Sequence, residues 1–275
     1  MGGQSKSSSP GLVLTLEASG EVVVGLSALF TVRVENRGDS RVTISSRLNL
    51  EEGDLRLVVT DPGGLTKKIS GAGGQPDTAA RQVDLSPGEQ IVGVLNLLQT
   101  SVGLTFHEAG EYTLRAEYDP SPRMETISSE PLKVTARLPK SEAEKGVGDL
   151  LKDEAVRRAL VMVDPDAAGA VKDLAESFAD TPDGKLARLI LAEGGSSSDK
   201  ADSEDLFQSD DTLATAYQIV ALSTPYSGAG KRLAESFESH LKSRDEGAAR
   251  GRSGKKSDAE DALKILKGQP IKTED

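Results

Sequence analysis

The chain contains no cysteine and no tryptophan, and only two histidines, His107 and His240. The missing cysteines exclude a disulfide framework, a thiol nucleophile, and thiolate-held zinc or iron–sulfur sites. Two histidines exclude a multi-histidine metal centre within one chain. Five Phe and four Tyr are the whole aromatic complement, so the cores must rest on Leu, Val, Ile and Ala. Basic charge is also short: 33 Lys plus Arg stand against 44 Asp plus Glu, a net charge of −11. A nucleic-acid partner needs a basic surface, so none is expected. No apolar run approaches the ~20 residues that span a bilayer, so no transmembrane segment is expected.

What is present falls into two patterns over 275 residues, about two domains at ~150 residues each. Residues 1–10 read as a flexible Gly/Ser/Gln tail with no hydrophobic signal region. Such tails often follow a cleaved export signal or a lipidated residue, which tips the expected compartment slightly toward the outside of the cytoplasm. Lys6 stands where myristoylation wants Ser or Thr.

Residues 11–139 carry a period of two. Leu12, Leu14 and Leu16 alternate with Val13 and Thr15. Phe30, Val32 and Val34, then Val42 and Ile44, then Leu55, Leu57 and Val59, repeat the pattern. Tyr112, Leu114, Ala116 and Tyr118, then Leu132, Val134 and Ala136, complete it. Seven to nine antiparallel strands, each with one buried face, predict a β-sandwich. Asp61-Pro62-Gly63-Gly64 and Ser86-Pro87-Gly88-Glu89 supply turns. The segment Ile69–Arg81 reads as a long Gly-rich loop. The strings FTVRVENRGDSRVTI, LRLVVTDPGG, LSPGE, GEYTLRAEY and SSEPLKV resemble a bacterial immunoglobulin-like module. Such modules occur in extracytoplasmic proteins, and the intracellular proteinase inhibitor family has a comparable strand order. The resemblance places Tyr112 at a tyrosine corner, its hydroxyl bonding back to an upstream backbone group.

Residues 140–242 carry a helical period and predict a small all-α helical-hairpin domain with an acidic insert at 194–211. Leu150, Leu151, Val156, Ala159 and Leu160 mark one helix. Ala167, Ala170, Val171, Leu174 and Phe178 mark another, with Asp164-Pro165 as its start. Leu186, Leu189 and Ile190 mark a third, ended at Gly194-Gly195, and two more follow around Leu213–Val220 and Leu233–Leu241. KDLAESF at 172–178 and KRLAESF at 231–237 nearly repeat. The stretch AVKDLAESFADTPDGKLARLILAEG resembles a degenerate tetratricopeptide-type unit, although a 59-residue spacing departs from the usual 34-residue period. Residues 243–275 read as a mostly disordered tail with a short helix at 258–266.

No arrangement of residues points to catalysis, so the chain is read as a non-enzyme that needs no cofactor and no metal. Arg37-Gly38-Asp39 reads as turn chemistry, with Asn and Gly supplying positive φ in a tight hairpin. Gly228-Ala229-Gly230-Lys231 lacks the first glycine and the Ser/Thr of a phosphate loop. The acidic run at Asp202–Asp211 lacks calcium-loop spacing. His107 beside Glu108 has no nucleophile nearby and reads as a loop histidine, and His240 as a helix-surface one. The function expected is protein or peptide binding, or scaffolding, through sandwich loops and edges and a helical groove. In that groove Leu174, Phe178, Leu233 and Phe237 would be buried, and Lys172, Glu176, Lys231 and Glu235 would be the exposed binding positions. The alternatives are a proteinase inhibitor, using Ile69–Arg81 or Gln99–His107, and an envelope lipoprotein or enzyme accessory subunit.

Overall fold

The computed structural model describes residues 11–50, 53–70, 82–101, 103–162, 165–194, 264 and 269–273. The second member of the repeat with Lys231, Glu235, Leu233 and Phe237, together with His240, the acidic run, the 228–231 glycines and most of the 258–266 helix, lies outside them. The chain divides into two compact units. One is Met1–Val24, Ala28–Arg137 and Lys267–Asp275; the other is Gly25–Ser27 and Leu138–Leu266.

The first unit is a β-sandwich. Its strands are β1 (Leu12–Ala18), β2 (Val22–Val23), β3 (Leu29–Asn36), β4 (Val42–Ser45) and β5 (Leu55–Thr60). Then come β6 (Thr66–Ile69), β7 (Gln82–Leu85), β8 (Glu89–Asn96), β9 (Gln99–Thr100) and β10 (Gly103–Leu104). The last are β11 (Gly110–Tyr118), β12 (Ile127–Ser128), β13 (Leu132–Arg137) and β14 (Ile271–Lys272). One sheet runs β1-β3-β8-β14 and the other β2-β13-β11-β5-β6, with β12 beside β11; β4 and β7 pair separately, as do β9 and β10. All pairs are antiparallel except β2 with β13.

The inward residues of both sheets meet in one core. Leu14, Phe30, Val32, Val34 and Ile91 from one sheet join Leu55, Leu57, Tyr112, Leu114 and Tyr118 from the other. The alternation buries β3 strictly at every second residue, as period-two reasoning requires. Tyr118 is wholly buried, and its hydroxyl donates to the Ser45 carbonyl. Burial pushes that hydroxyl far above the ordinary tyrosine range.

Several expectations change here. The Asn36–Ser40 turn is not a hairpin: β3 and β4 belong to different sheets, and Gly38 is not among the positive-φ glycines. Asn36 itself holds the turn, donating to Ser40 O and accepting from Gly38 N. Ile69 ends β6 rather than opening a loop; residues 71–81 of that loop lie outside the described residues. The eight-residue β8 was not foreseen. Residues 271–272, placed by sequence in a tail, form a strand against β8, with Ile271 opposite Gln90.

The second unit, in its described part, holds α1 (Glu142–Leu150), α2 (Glu154–Met162), a 3-10 segment Pro165–Val171, α3 (Lys172–Ser177) and α4 (Pro182–Gly194). Ser141 caps α1 reciprocally with Glu144. The single helix expected across 150–160 is broken. Asp153 accepts from Ala155 N to start α2, and Arg157 donates to the freed carbonyls of Leu151 and Lys152. The continuous stripe expected from Ala167 to Phe178 is also broken, into the 3-10 segment and the six-residue α3. Thr181 caps α4, accepting from Gly184 N, with Pro182 at the first turn. Asp183 is buried in that first turn, and burial raises its carboxyl above the ordinary range.

Candidate functional site

Two glycine-bearing turns meet at one end of the sandwich. The first, Asp61–Leu65, joins β5 to β6. Asp61 closes it with both backbone and side chain: its carbonyl accepts from Gly64 N, and its Oδ1 accepts from Leu65 N at 2.8 Å. The second, His107–Gly110, leads into β11. Pro62 packs flat on Gly110, where any Cβ would lie 2.6 Å from the proline ring. Only glycine admits that approach, and the contact brings Asp61 beside His107 and Glu108.

The second turn is held from beneath. Tyr112, fully buried, donates its hydroxyl to the Glu108 carbonyl at 3.1 Å. The tyrosine corner implied by the immunoglobulin-like resemblance is therefore present as a hydrogen bond. Burial raises the Tyr112 hydroxyl above its ordinary range. Phe106, buried next to His107, packs edge-on against Tyr112 at 5.0 Å and stacks on Phe30 at 6.0 Å. His107 itself lies edge-on to Tyr112 at 6.4 Å.

Above these groups lies a shallow cavity of about 300 Å³, open mouth included, lined by β5, β6 and the 104–107 segment. Asp61, Lys67, Thr105 and His107 are its polar lining. Asp61, His107 and Glu108 each offer a ligand atom, and the three atoms lie within 4.8 Å of one another. His107 Nε2 is 3.9 Å from Glu108 Oε1. The Thr105 hydroxyl is buried and has no hydrogen-bond partner among the described residues. The sequence singled out His107 and Glu108 but not Asp61, which reaches them only through the Pro62–Gly110 contact.

The outer edge of β1 is a second candidate surface. Ser19 N donates to Leu29 O, and Arg37 N donates to Gly11 O. Both flank the β1–β3 ladder, whose register pairs Leu12 with Asn36. Val13, Thr15 and Glu17 therefore direct their backbone groups to β3, and Leu12, Leu14 and Leu16 direct theirs outward. Among the described residues no strand pairs with that outer side. Residues 12–16 of β1 carry no charge, whereas β6, an edge of the other sheet, carries Lys67 and Lys68.

Of the four expected binding residues, Lys172 and Glu176 lie on α3, both exposed and 3.7 Å apart. Leu174 beside them is buried, but Phe178 falls beyond the helix end and is half-buried. Lys231 and Glu235 lie outside the described residues.

Comparison with known proteins adds little. No family model matches the chain, and no curated protein matches it. Among solved structures, a CARDB domain of Pyrococcus furiosus in complex with di-metal ions aligns at 18% identity and a TM-score of 0.28, covering 50% of this chain and 100% of that one. A β-glucosidase of Listeria innocua in complex with gluconolactone aligns at 14% identity and a TM-score of 0.25, covering 46% of this chain and 16% of that one. A β-glucuronidase of Bacteroides uniformis aligns at 11% identity and a TM-score of 0.24, covering 79% of this chain and 32% of that one. Scores this low carry no argument about fold or activity, and the sandwich rests on its own strand pairing. Among the described residues no helix is long and apolar enough to cross a membrane.

Proposed function

We propose that the chain is a non-catalytic binding or scaffold protein, an immunoglobulin-like sandwich joined to helical hairpins, that takes a protein or peptide partner. The observation that supports this reading is the outer edge of β1. A seven-residue strand with outward N–H and C=O groups at Leu12, Leu14 and Leu16 is a template for strand addition by an extended peptide. Exposed edges are usually blunted by lysine, proline or a bulge, and β1 has none of these over residues 12–16. The exposed Lys172–Glu176 face of α3 is the remaining expected contact surface.

The test uses the full chain with a photoreactive residue at Thr15 or at Lys172, exposed to extract from the native source. Crosslinks to one polypeptide at Thr15, suppressed when Val13→Lys is added to the same chain, are the expected result. Crosslinks confined to Lys172 would move the binding to the helices. None at either position would overturn the reading.

A further inference from the structure

We propose that Asp61, His107 and Glu108 form a divalent transition-metal site, with Zn²⁺ or Mn²⁺ as the ion. This goes beyond the partner-binding reading and does not depend on it. Three independent observations converge on the cavity. The first is the donor set: one imidazole nitrogen and two carboxylates, from two different turns, with their ligand atoms within 4.8 Å of one another. Ligands on one such ion sit ~2.0–2.2 Å from it. The three atoms must therefore close by no more than about 1.5 Å. His107 and Glu108 are 45% and 49% exposed and have room to rotate.

The second is the support beneath those donors. Metal-binding side chains work when neighbouring contacts hold them in place. Here the Pro62–Gly110 contact sets the spacing of the two turns. The Leu65 N–H occupies Asp61 Oδ1, leaving Oδ2 for a ligand. The Tyr112 hydroxyl fixes the Glu108 backbone. The third is Thr105, only 6% exposed and lining the same cavity. Its hydroxyl is buried and without a partner among the described residues. Buried polar groups are nearly always satisfied, and a metal-bound water in the cavity would satisfy this one.

The donor set also selects the ion. Imidazole favours zinc-like metals, and carboxylates accept zinc and manganese. Calcium wants six to eight oxygens, more than these side chains offer. Asp61 is the carboxylate of the cavity lining, alongside the ammonium of Lys67, and Glu108 brings a second carboxylate to the donor set, which suits a cation.

The test is calorimetric titration of the chelator-stripped full chain with Zn²⁺ alone. Saturable binding at one ion per chain is expected, with a rise in melting temperature. Asp61→Asn, His107→Ala and Glu108→Gln should each weaken it roughly tenfold or more, while His240→Ala leaves it unchanged. Because a variant could perturb its own turn, the unsubstituted chain is also followed by NMR: the His107 ring resonances must shift with Zn²⁺ and those of His240 must not. Absence of saturable binding overturns the site. So does binding indifferent to all three substitutions, or an unshifted His107 ring. Binding of inorganic phosphate abolished by Lys67→Ala, without Zn²⁺ binding, would make the cavity an anion site instead.

Discussion

The side-chain amide of Asn36 donates to the carbonyl of Leu85, 49 residues further along the chain, at 2.9 Å. The same nitrogen donates to Ser40 O, and the amide oxygen accepts from Gly38 N. Asn36 is completely buried, so each of these groups would otherwise face apolar surroundings. Asn36→Ala should destabilise the sandwich by roughly 1–3 kcal/mol, because the buried Leu85 carbonyl loses its donor and the Ser40 turn loses its tie. Arg37→Ala, next door but largely exposed, should cost less than about 0.5 kcal/mol. Urea denaturation of the two variants checks the contrast.

Leu114 and Arg115 test the face of β11. Leu114 is fully buried, and the Arg115 side chain is 45% exposed in an ion pair with Glu117. Leu114→Ala should cost roughly 2–5 kcal/mol, and Arg115→Ala about 0.5 kcal/mol or less. Equal losses by thermal or chemical unfolding would place the strand in the wrong register.

Gly93 lies in the middle of β8 because a Cβ there would sit 2.6 Å from both the Cβ and the carbonyl oxygen of Leu48. Gly93→Ala should therefore cost roughly 1–3 kcal/mol as overpacking, rather than giving the usual gain from a stiffer unfolded chain. A variant as stable as the parent would show that Leu48 can move aside.

Glu117 gives stability a pH signature. Its carboxyl accepts from Lys68 at 2.7 Å and from Arg56 at 3.1 Å. Those partners hold its pKa below the ordinary glutamate range, Lys68 most of all. A carboxyl with a depressed folded pKa adds stability that is complete above its unfolded value, about 4.3. That stability is lost as the pH falls through the folded value. Glu117→Gln should cost roughly 1 kcal/mol at neutral pH, and the difference from the parent should shrink steadily below about pH 4. A pH-independent gap would mean that the carboxylate charge contributes nothing.

Lys172 and Glu176 are both largely exposed, at 62% and 63%. Lys172→Glu should move stability by about 0.5 kcal/mol or less, read as an almost unchanged melting temperature. That makes it a clean probe of binding at α3.

The long alternating strands were legible because period-two patterning acts locally: β1, β3, β5 and β11 each bury the side that the sequence marks. β8 was hidden because Glu-Gln-Ile-Val-Gly-Val-Leu-Asn does not alternate, and its glycine answers a contact with Leu48 that no local pattern encodes. The helical break at 151–153 depends on Arg157 taking up the Leu151 and Lys152 carbonyls, and the one after Val171 carries no side-chain cap; both leave the apolar period intact. Tyr112 could be placed from the Gly-Glu-Tyr opening of its strand. The association of Asp61 with His107 could not, since it arises from a proline lying on a glycine between turns that are distant in sequence.

The two-residue strand β14 has a consequence for how the molecule is made. Ile271 and Lys272 pair with Gln90 and Glu89, and Thr273 N donates to Gly88 O at 3.0 Å. During synthesis β8 is finished well before these residues leave the ribosome, so its outer side stays unzipped until they emerge. Nascent chains are exposed to off-pathway strand pairing in that interval, and a nonsense codon before residue 271 would make the condition permanent. Trimming these few residues should lower soluble yield more than it lowers the melting temperature of whatever material does fold.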